Sequence, residues 1–204
     1  MPDEDDIPPL ARRILILSYT LAFEDKNDRV FIKADCTKAY SPQKVETFIR
    51  QIVFQRPGTF VIVDTVRVKD PAFKTIWNLQ AMKRPTKVAD DSGNDLGFWT
   101  WSNGNGRLFL QTLLPEKTAV ELYSGEKLYV IDGIDYPPQR DTGPAPECRM
   151  EISPMEAKKD YLFIHVLSAT DSGVERVPST KVNVTKNKVQ VSVSDYSFDF
   201  DVPF

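Results

Sequence analysis

The sequence predicts an all-β fold, an antiparallel two-sheet β-sandwich, and three observations support this class. Short apolar and β-branched runs recur along the 204 residues and follow the two-residue period of strands. Turn residues, chiefly proline, glycine, asparagine and aspartate, separate these runs. No long segment has the period of an amphipathic helix. Many strands joined by short turns are typical of a sandwich.

The strongest predicted element is a hairpin at residues 45–67. In residues 45–55 (VETFIRQIVFQ) both sides of an extended strand carry apolar side chains, so we expect a central strand covered on both faces. Residues 60–67 (FVIVDTVR) are the returning strand, because β-branched residues fit a pleated surface. For the turn Arg56-Pro57-Gly58-Thr59 we predict type II geometry, with the glycine at a positive φ.

The same reasoning places the other elements. Residues 13–23 (RILILSYTLAF) are predicted as a strand, with a buried helix as the alternative, and residues 29–34 as its hairpin partner. An Asn-Gly turn within residues 102–106 joins strands at residues 97–101 and 107–114. Further strands are expected at residues 74–81, 119–123, 149–153, 161–169, 181–184, 188–193 and 197–202. Polar loop segments are expected at residues 84–85 and 90–95 and, rich in proline, at residues 136–146.

Composition and charge exclude several function classes. The chain has 26 basic and 29 acidic residues, a net charge of −3, so it has no overall positive field and we expect no nucleic-acid partner. No apolar run reaches the length of a membrane span, so we expect no membrane insertion. Residues 1–9 are predicted to be a disordered acidic lead without signal-peptide features, and residues 10–204 to form one domain.

Neither the two cysteines nor any ligand-binding motif in the sequence predicts a metal or cofactor site. Cys36 and Cys148 are consistent with one disulfide or with two thiols. No zinc-ligand spacing and no phosphate-binding glycine loop is visible, so we expect no metal and no cofactor. Asn183-Val184-Thr185 matches an N-glycosylation acceptor, a triplet that is common by chance.

The central hairpin also carries a family resemblance. Residues 50–54 (RQIVF), the Arg-Pro-Gly turn and residues 60–66 (FVIVDTV) resemble the C-terminal β-sandwich of heparinase II/III-like polysaccharide lyases. The resemblance extends over about residues 30–167 and also includes residues 34–40 (ADCTKAY), 74–80 (KTIWNLQ), 149–154 (RMEISP) and 163–167 (FIHVL). It implies a β-sandwich that packs against a helical catalytic domain, an acidic polysaccharide as substrate, and a periplasmic or secreted location.

The resemblance does not bring a complete catalytic constellation. Catalytic Asn, His and Tyr residues of these lyases come largely from the helical domain, and this chain has a single histidine. Gln80 stands where related sequences often carry histidine, which weakens any metal or proton-transfer role for that strand. Tyr40 and His165 are the only candidate catalytic residues, and a structural role is the main interpretation of both.

Two groups of residues are candidates for glycan contact. Trp99 and Trp101 lie on one side of a strand, where they form either a sugar-stacking surface or part of the core. Three basic residues, Lys83, Arg84 and Lys87, are expected in a nearby loop, where they could bind carboxylate or sulfate groups. We interpret Asp64 as a strand-end polar residue, and a salt bridge between it and Arg50 is conceivable.

The sequence therefore predicts a non-catalytic β-sandwich module related to lyases that act on uronate-containing glycans. Its role would be structural support together with glycan contact. Two alternatives remain open: a free-standing carbohydrate-binding module that uses Trp99 and Trp101, and a small lyase that uses Tyr40 or His165 for proton transfer. Exposure of the two tryptophans distinguishes the first alternative from the others.

Overall fold

The structure, a computed structural model, describes residues 18–89, 92–93, 95–139, 143–175 and 178–202. The predicted acidic lead and the first five residues of the predicted strand at 13–23 lie outside these ranges. The all-β class is confirmed, because the described part contains antiparallel strands, short 3-10 turns and no α-helix. No helix in this part of the chain is long and apolar enough to span a membrane.

The strands of the described residues include all the predicted ones, in order, and three short ones at residues 86–89, 130–131 and 134–135 that were not predicted. They are β1 (Tyr19–Asp25), β2 (Arg29–Asp35), β3 (Val45–Gln55), β4 (Thr59–Val68), β5 (Trp77–Ala81), β6 (Thr86–Ala89), β7 (Asp95–Asn103), β8 (Gly106–Leu114), β9 (Thr118–Tyr123), β10 (Val130–Ile131), β11 (Ile134–Asp135), β12 (Cys148–Pro154), β13 (Asp160–Asp171), β14 (Thr180–Val184), β15 (Lys188–Val193) and β16 (Tyr196–Asp201).

A central sheet of eight antiparallel strands carries two smaller sheets. Its order is β1-β2-β3-β4-β13-β8-β7-β6, so the predicted hairpin β3–β4 lies inside the sheet and pairs with β13. The smaller sheets have the orders β5-β12-β9 and β14-β15-β16, and β10 and β11 form a separate hairpin. The molecule is thus a sandwich in which one sheet is flanked on both faces.

Alternation along β3, β4 and β13 sends side chains into two separate cores. The first core lies under β5-β12-β9 and contains eleven buried residues: Phe48, Val66, Val68, Trp77, Trp101, Leu110, Met150, Ile152, Tyr161, Phe163 and Leu167. The second core lies under β14-β15-β16 and joins Val53, Val61 and Val63 of the hairpin to valines of β15. Each face of the hairpin contributes to a core, and the prediction that both faces are largely covered holds for all but one part of the first face.

One part of the first face is not covered by the small sheet. Register pairs join Phe23 to Ile32, Ile32 to Ile52 and Ile52 to Ile62 across β1, β2, β3 and β4, so these side chains form one apolar row. A second row, beside the first, joins Val30, Phe54 and Phe60 in the same way. We call the two rows together the apolar patch; its seven residues are Phe23, Val30, Ile32, Ile52, Phe54, Phe60 and Ile62. Phe23 is 61% exposed and Phe60 is 37% exposed.

The hairpin turn differs from the prediction. The Arg56-Pro57 peptide is cis, and Gly58 does not have a positive φ, so the type II prediction was wrong. Glycine is required here for a different reason: a Cβ at position 58 would collide with the backbone carbonyl oxygen of Ala169. The Ala169 amide also donates a 2.8 Å hydrogen bond to the Gly58 carbonyl, which holds the turn against β13.

Two loop predictions also need correction. Lys87 was expected in a loop, but it lies on β6, an edge strand that pairs with β7. The Asn-Gly turn is tighter than predicted, since β7 continues to Asn103 and β8 begins at Gly106. Of the proline-rich residues 136–146, positions 140–142 lie outside the described part of the chain, and no strand is assigned to the others.

Candidate functional site

A cleft of about 310 Å³ opens on the first face of the central sheet, beside the apolar patch. It lies between β3 and β4 on one side and residues 73–78, which lead into β5, on the other. Its aromatic lining residues are Tyr40, Phe48, Phe73, Trp77 and Phe163, and its polar ones are Ser41, Lys44, Arg50, Asp64, Lys74, Thr75 and Asn78. An apolar hollow with a few polar groups is the usual form of a small-ligand site.

The Arg50–Asp64 pair forms the polar wall of the cleft. The two residues are register partners on β3 and β4, and Arg50 donates from Nε to Oδ1 and from Nη2 to Oδ2, both at 2.7 Å. Asp64 is 2% exposed, whereas the Arg50 side chain is 38% exposed. The conceivable salt bridge is therefore present, and Asp64 lies in the middle of β4 instead of at its end. Burial raises the pKa of Asp64, and the guanidinium opposes that rise.

Tyr40 is held at the mouth of the cleft by the loop that precedes β3. The Thr37 hydroxyl accepts a 2.9 Å hydrogen bond from the Phe48 amide, and Thr37 in turn donates its own amide to Asp35. The Tyr40 ring then lies 5.4 Å from the Phe48 ring. Partial burial raises the pKa of Tyr40, so the phenol keeps its proton at neutral pH and can donate a hydrogen bond.

The two lysines of the cleft have different surroundings. Lys74 is 3.1 Å from Glu121 and 3.8 Å from Glu151, so its charge is balanced by carboxylates of the β5-β12-β9 sheet. The hydrogen bond that the Lys74 ammonium donates to Glu121 raises the pKa of Lys74. Lys44 lies over the Phe73 ring at 5.9 Å and has no carboxylate partner among the described residues. Of the two lysines, Lys44 is therefore the one that is available to an anionic ligand.

His165 does not reach the cleft. It is 0% exposed, and its ring stacks at 3.9 Å behind Trp77, which itself lines the cleft. Its Nδ1 lies 3.1 Å from the Thr112 hydroxyl, and its Nε2 has no hydrogen-bond partner among the described residues. Burial lowers the pKa of His165 to about 3. At neutral pH the ring is therefore neutral and packed in the interior.

The two tryptophans do not form one exposed surface. Both lie on the first face of the sheet, but Trp101 is 5% exposed and belongs to the first core, while Trp99 is half-buried against the edge of that core. Lys87 Nζ lies 5.4 Å over the Trp99 ring. The core interpretation therefore holds for Trp101, and only Trp99 keeps an accessible part.

The predicted basic residues are dispersed. Lys83 makes an ion pair with Glu147, and Arg84 donates a 3.3 Å hydrogen bond to Ser124 Oγ. Lys87 is on β6, beside Trp99. None of these three residues lines the cleft.

The cysteines and potential metal ligands are separate. Cys36 and Cys148 are both free thiols, and burial raises the pKa of each. No cluster of three or more His, Cys, Asp or Glu side chains that could hold a metal occurs among the described residues. Gln80 is exposed on β5, opposite Arg149, where it forms no part of such a cluster.

Sequence reasoning missed most of the cleft. Lys44 lies just before β3, and Phe73 belongs to the segment that connects β4 to β5. Neither residue belongs to a local pattern that predicts a site, because the two meet only after the β3–β4 hairpin has returned the chain to residue 44, where the Lys69 amide bonds to the Lys44 carbonyl. The Trp77-Asn78 pair was identified within the family resemblance, and the structure places both residues in the cleft.

Comparison with solved structures supports the fold. The heparan sulfate lyase HepC from Pedobacter heparinus superposes with a TM-score of 0.56 at 12% identity, over 91% of this chain and 28% of that one. The heparinase III BT4657 gene product gives a TM-score of 0.65 at 12% identity, over 91% and 28%. A third structure, also of a heparinase III, gives a TM-score of 0.55 at 14% identity, over 92% of this chain and 27% of that one. No family model and no curated protein sequence matches the chain.

These matches are the size of a domain. The chain spans less than a third of the length of each lyase that it superposes on. At this level of identity the comparison establishes a shared β-sandwich fold, and the chain is similar to one domain of heparin and heparan sulfate lyases.

The buried imidazole leads to a prediction about pH. Because its folded pKa of about 3 lies below the ordinary value of 6.5, His165 contributes stability that is complete above pH 6.5 and is lost as the pH falls towards 3. In urea titrations between pH 6.5 and 4, the free energy of unfolding of the wild type should fall faster than that of His165→Phe. The difference in slope should approach about 1.4 kcal/mol per pH unit.

A matched control separates titration from the loss of a contact. Thr112→Val removes the hydrogen bond to Nδ1 and keeps the imidazole, so it should retain the slope of the wild type. Parallel pH dependences in the wild type and His165→Phe would contradict a neutral, buried His165.

Proposed function

We propose that this chain is a non-catalytic β-sandwich module of a polysaccharide lyase, or of a protein related to one, that acts on uronate-containing acidic glycans. The module supports a helical catalytic domain and contacts the glycan. The fold shared with one domain of three heparin and heparan sulfate lyases supports this assignment.

The observation that carries the proposal is the composition of the cleft. Its aromatic side chains offer flat apolar surfaces to the faces of a sugar ring, and its hydroxyl and amide groups can bond to sugar hydroxyls. Lys44 supplies a positive charge at the rim, which suits the carboxylate of a uronate. A cleft of about 310 Å³ has room for a short part of a glycan chain and not for a large macromolecule.

The apolar patch supports the proposed helical partner. Phe23 and Phe60 together expose the equivalent of about one whole aromatic side chain, ~150–250 Å², and the other five side chains are half-buried, so the patch exposes roughly a few hundred Å². That area is below the ~800 Å² per partner of a stable interface between separate proteins. A domain on the same polypeptide needs less area, because tethering raises its local concentration. The lyases that share this fold are more than three times as long as their matched region. Because the patch adjoins the cleft, a domain docked on the patch would form a further wall of the cleft.

Two other functions remain as alternatives. A small lyase would use Tyr40, whose protonated phenol lies at the cleft, as the acid in β-elimination. A free-standing carbohydrate-binding module would have to use Trp99 without Trp101, because Trp101 is in the core. The cleft supports the module of a lyase better than either of these.

The glycan proposal is tested by a binding and turnover assay with alginate, heparan-type and chondroitin oligosaccharides. We expect calorimetric binding of at least one uronate oligosaccharide without any rise in absorbance at the unsaturated-uronate band. Tyr40→Ala should weaken binding about 5- to 10-fold through the loss of ring contact, whereas Tyr40→Phe should bind nearly as the wild type does.

Tyr196 provides the matched control, because it is exposed to a similar extent and lies on β16, away from the cleft. Tyr196→Ala should leave the affinity unchanged. Rising absorbance that Tyr40→Phe abolishes would make the chain a lyase in its own right. Absence of binding to every oligosaccharide would refute glycan contact.

The proposed docking surface is tested on the isolated chain. With the patch uncovered, the chain should be monomeric in light scattering and should bind the hydrophobic dye bis-ANS. The double variant Phe23→Lys with Phe60→Lys should reduce dye emission several-fold at an unchanged Tm, and Met155→Lys, at a more exposed position outside the patch, should not. If the wild type is a dimer and the double variant is a monomer, the patch is occupied by a second copy of the chain and not by a helical domain.

A further inference from the structure

We infer that the free edge of the Arg50 guanidinium is the receptor for the sugar carboxylate in the cleft, and that the buried Asp64 serves to position it. This inference rests on the proposed glycan function and adds the group that distinguishes a uronate from a neutral sugar. Lys44 acts as the second cation of the same receptor.

The hydrogen-bond geometry of Arg50 leaves one edge open. A guanidinium has five N–H groups and can bind a carboxylate either through Nε and one Nη or through its two Nη atoms. Asp64 occupies the first edge with two bonds of 2.7 Å. Nη1 and the second N–H of Nη2 have no hydrogen-bond partner among the described residues, although the side chain is 38% exposed and lines the cleft.

The surroundings of Arg50 fix its orientation before any ligand arrives. Asp64 is almost fully buried, and it lies opposite Arg50 in the β3–β4 register. On the other side the guanidinium lies 5.4 Å from the Phe48 ring. A side chain held in this way loses little rotamer freedom on binding, so more of the interaction energy appears as affinity.

Charge balance explains why Lys44 is needed. Asp64 neutralises Arg50, so a bound anion would otherwise meet a neutral pair with a carboxylate behind it. Lys74 cannot compensate, because it already balances Glu121 and Glu151. Lys44 has no carboxylate partner among the described residues and supplies the missing positive charge. The receptor therefore has one uncompensated positive charge, which matches a single carboxylate and not several neighbouring anionic groups.

The shape of the open edge favours a carboxylate over a sulfate. Two parallel N–H groups in one plane match the two coplanar oxygens of a carboxylate. A sulfate ester can use the same two N–H groups, but its third oxygen lies out of that plane. We therefore expect recognition of the uronate carboxyl group and only a weaker response to sulfate.

The test compares two probes that differ only at the carboxyl group. Unsulfated heparan-type tetrasaccharide and its carboxyl-reduced form, in which each carboxylate is a neutral hydroxymethyl, are titrated into the 204-residue chain by calorimetry. A sulfated, carboxyl-reduced tetrasaccharide is the third probe. The wild type should bind the carboxylated probe about 10-fold more tightly than the reduced one.

The variants are chosen to separate this role from a purely structural one. Arg50→Lys keeps the charge and removes the two-atom edge, so it should lose most of the 10-fold preference while still binding the reduced probe. Lys44→Gln does not touch the buried pair and should reduce the preference several-fold even if Arg50→Lys folds poorly. Arg67→Lys is the matched control, since Arg67 has similar exposure, pairs with Asp160 and lies outside the cleft.

The outcomes distinguish the inference from the function on which it rests. Equal affinity of the wild type for the carboxylated and reduced probes would overturn the inference and leave glycan contact standing. No binding of either probe would overturn both. Binding of the sulfated, reduced probe as tight as that of the carboxylated one, and dependent on Arg50, would overturn selectivity for carboxylate.

Discussion

The whole structure depends on the burial of both faces of the β3–β4 hairpin. Because successive side chains of a strand point to opposite faces, a single strand can serve two cores only if both of its alternating sets are apolar. Val53 and Val61 face one core, and Phe48 and Val66 face the other. A slip of one residue in the register would exchange these sets and would no longer place Arg50 opposite Asp64. The flanking sheets and the cleft take their positions from it.

The cleft exists because this two-sided coverage is incomplete on one face. The β5-β12-β9 sheet covers the first face only in part, and Arg50 and Asp64 lie between the covered core and the apolar patch. An ion pair is costly in a dry interior, and removing one partner from a buried pair costs about 3–5 kcal/mol. Here the cost is lower because the Arg50 side chain keeps contact with solvent. The pair therefore closes the core and at the same time leaves a polar group at the surface.

The local sequence pattern predicted most of the strands, because the alternation of apolar and polar residues in a strand depends only on neighbouring positions in the sequence. Strand β6 was missed, since its four residues lie among polar and turn-forming residues and are recognisable only by their pairing with β7. The requirement for glycine at position 58 was predicted for the wrong reason. A type II turn is a local property, whereas the collision with the Ala169 carbonyl involves a strand more than a hundred positions away.

The site was less predictable than the fold for the same physical reason. Asp64 and Arg50 were noted as a conceivable pair, but their two-bond geometry depends on a register that sequence does not fix. Trp99 and Trp101 share a face, as their spacing requires, and yet they differ in exposure, since Trp101 belongs to the buried core and Trp99 packs against its margin. Lys44 and Phe73 gave no signal, because the whole β3–β4 hairpin separates them in sequence and they meet only when it returns the chain to residue 44.

The central claim is that the aromatic cleft, and not the surface around Trp99, contacts the glycan. The most direct measurement is a nitrogen-15 NMR titration of the chain with unsulfated heparan-type tetrasaccharide. The account predicts shifts at the Tyr40, Lys44 and Asn78 amides and at the Trp77 indole, with little change at Lys87 and Trp99. Shifts confined to Lys83, Lys87 and Trp99, or no shift at any residue, would contradict it.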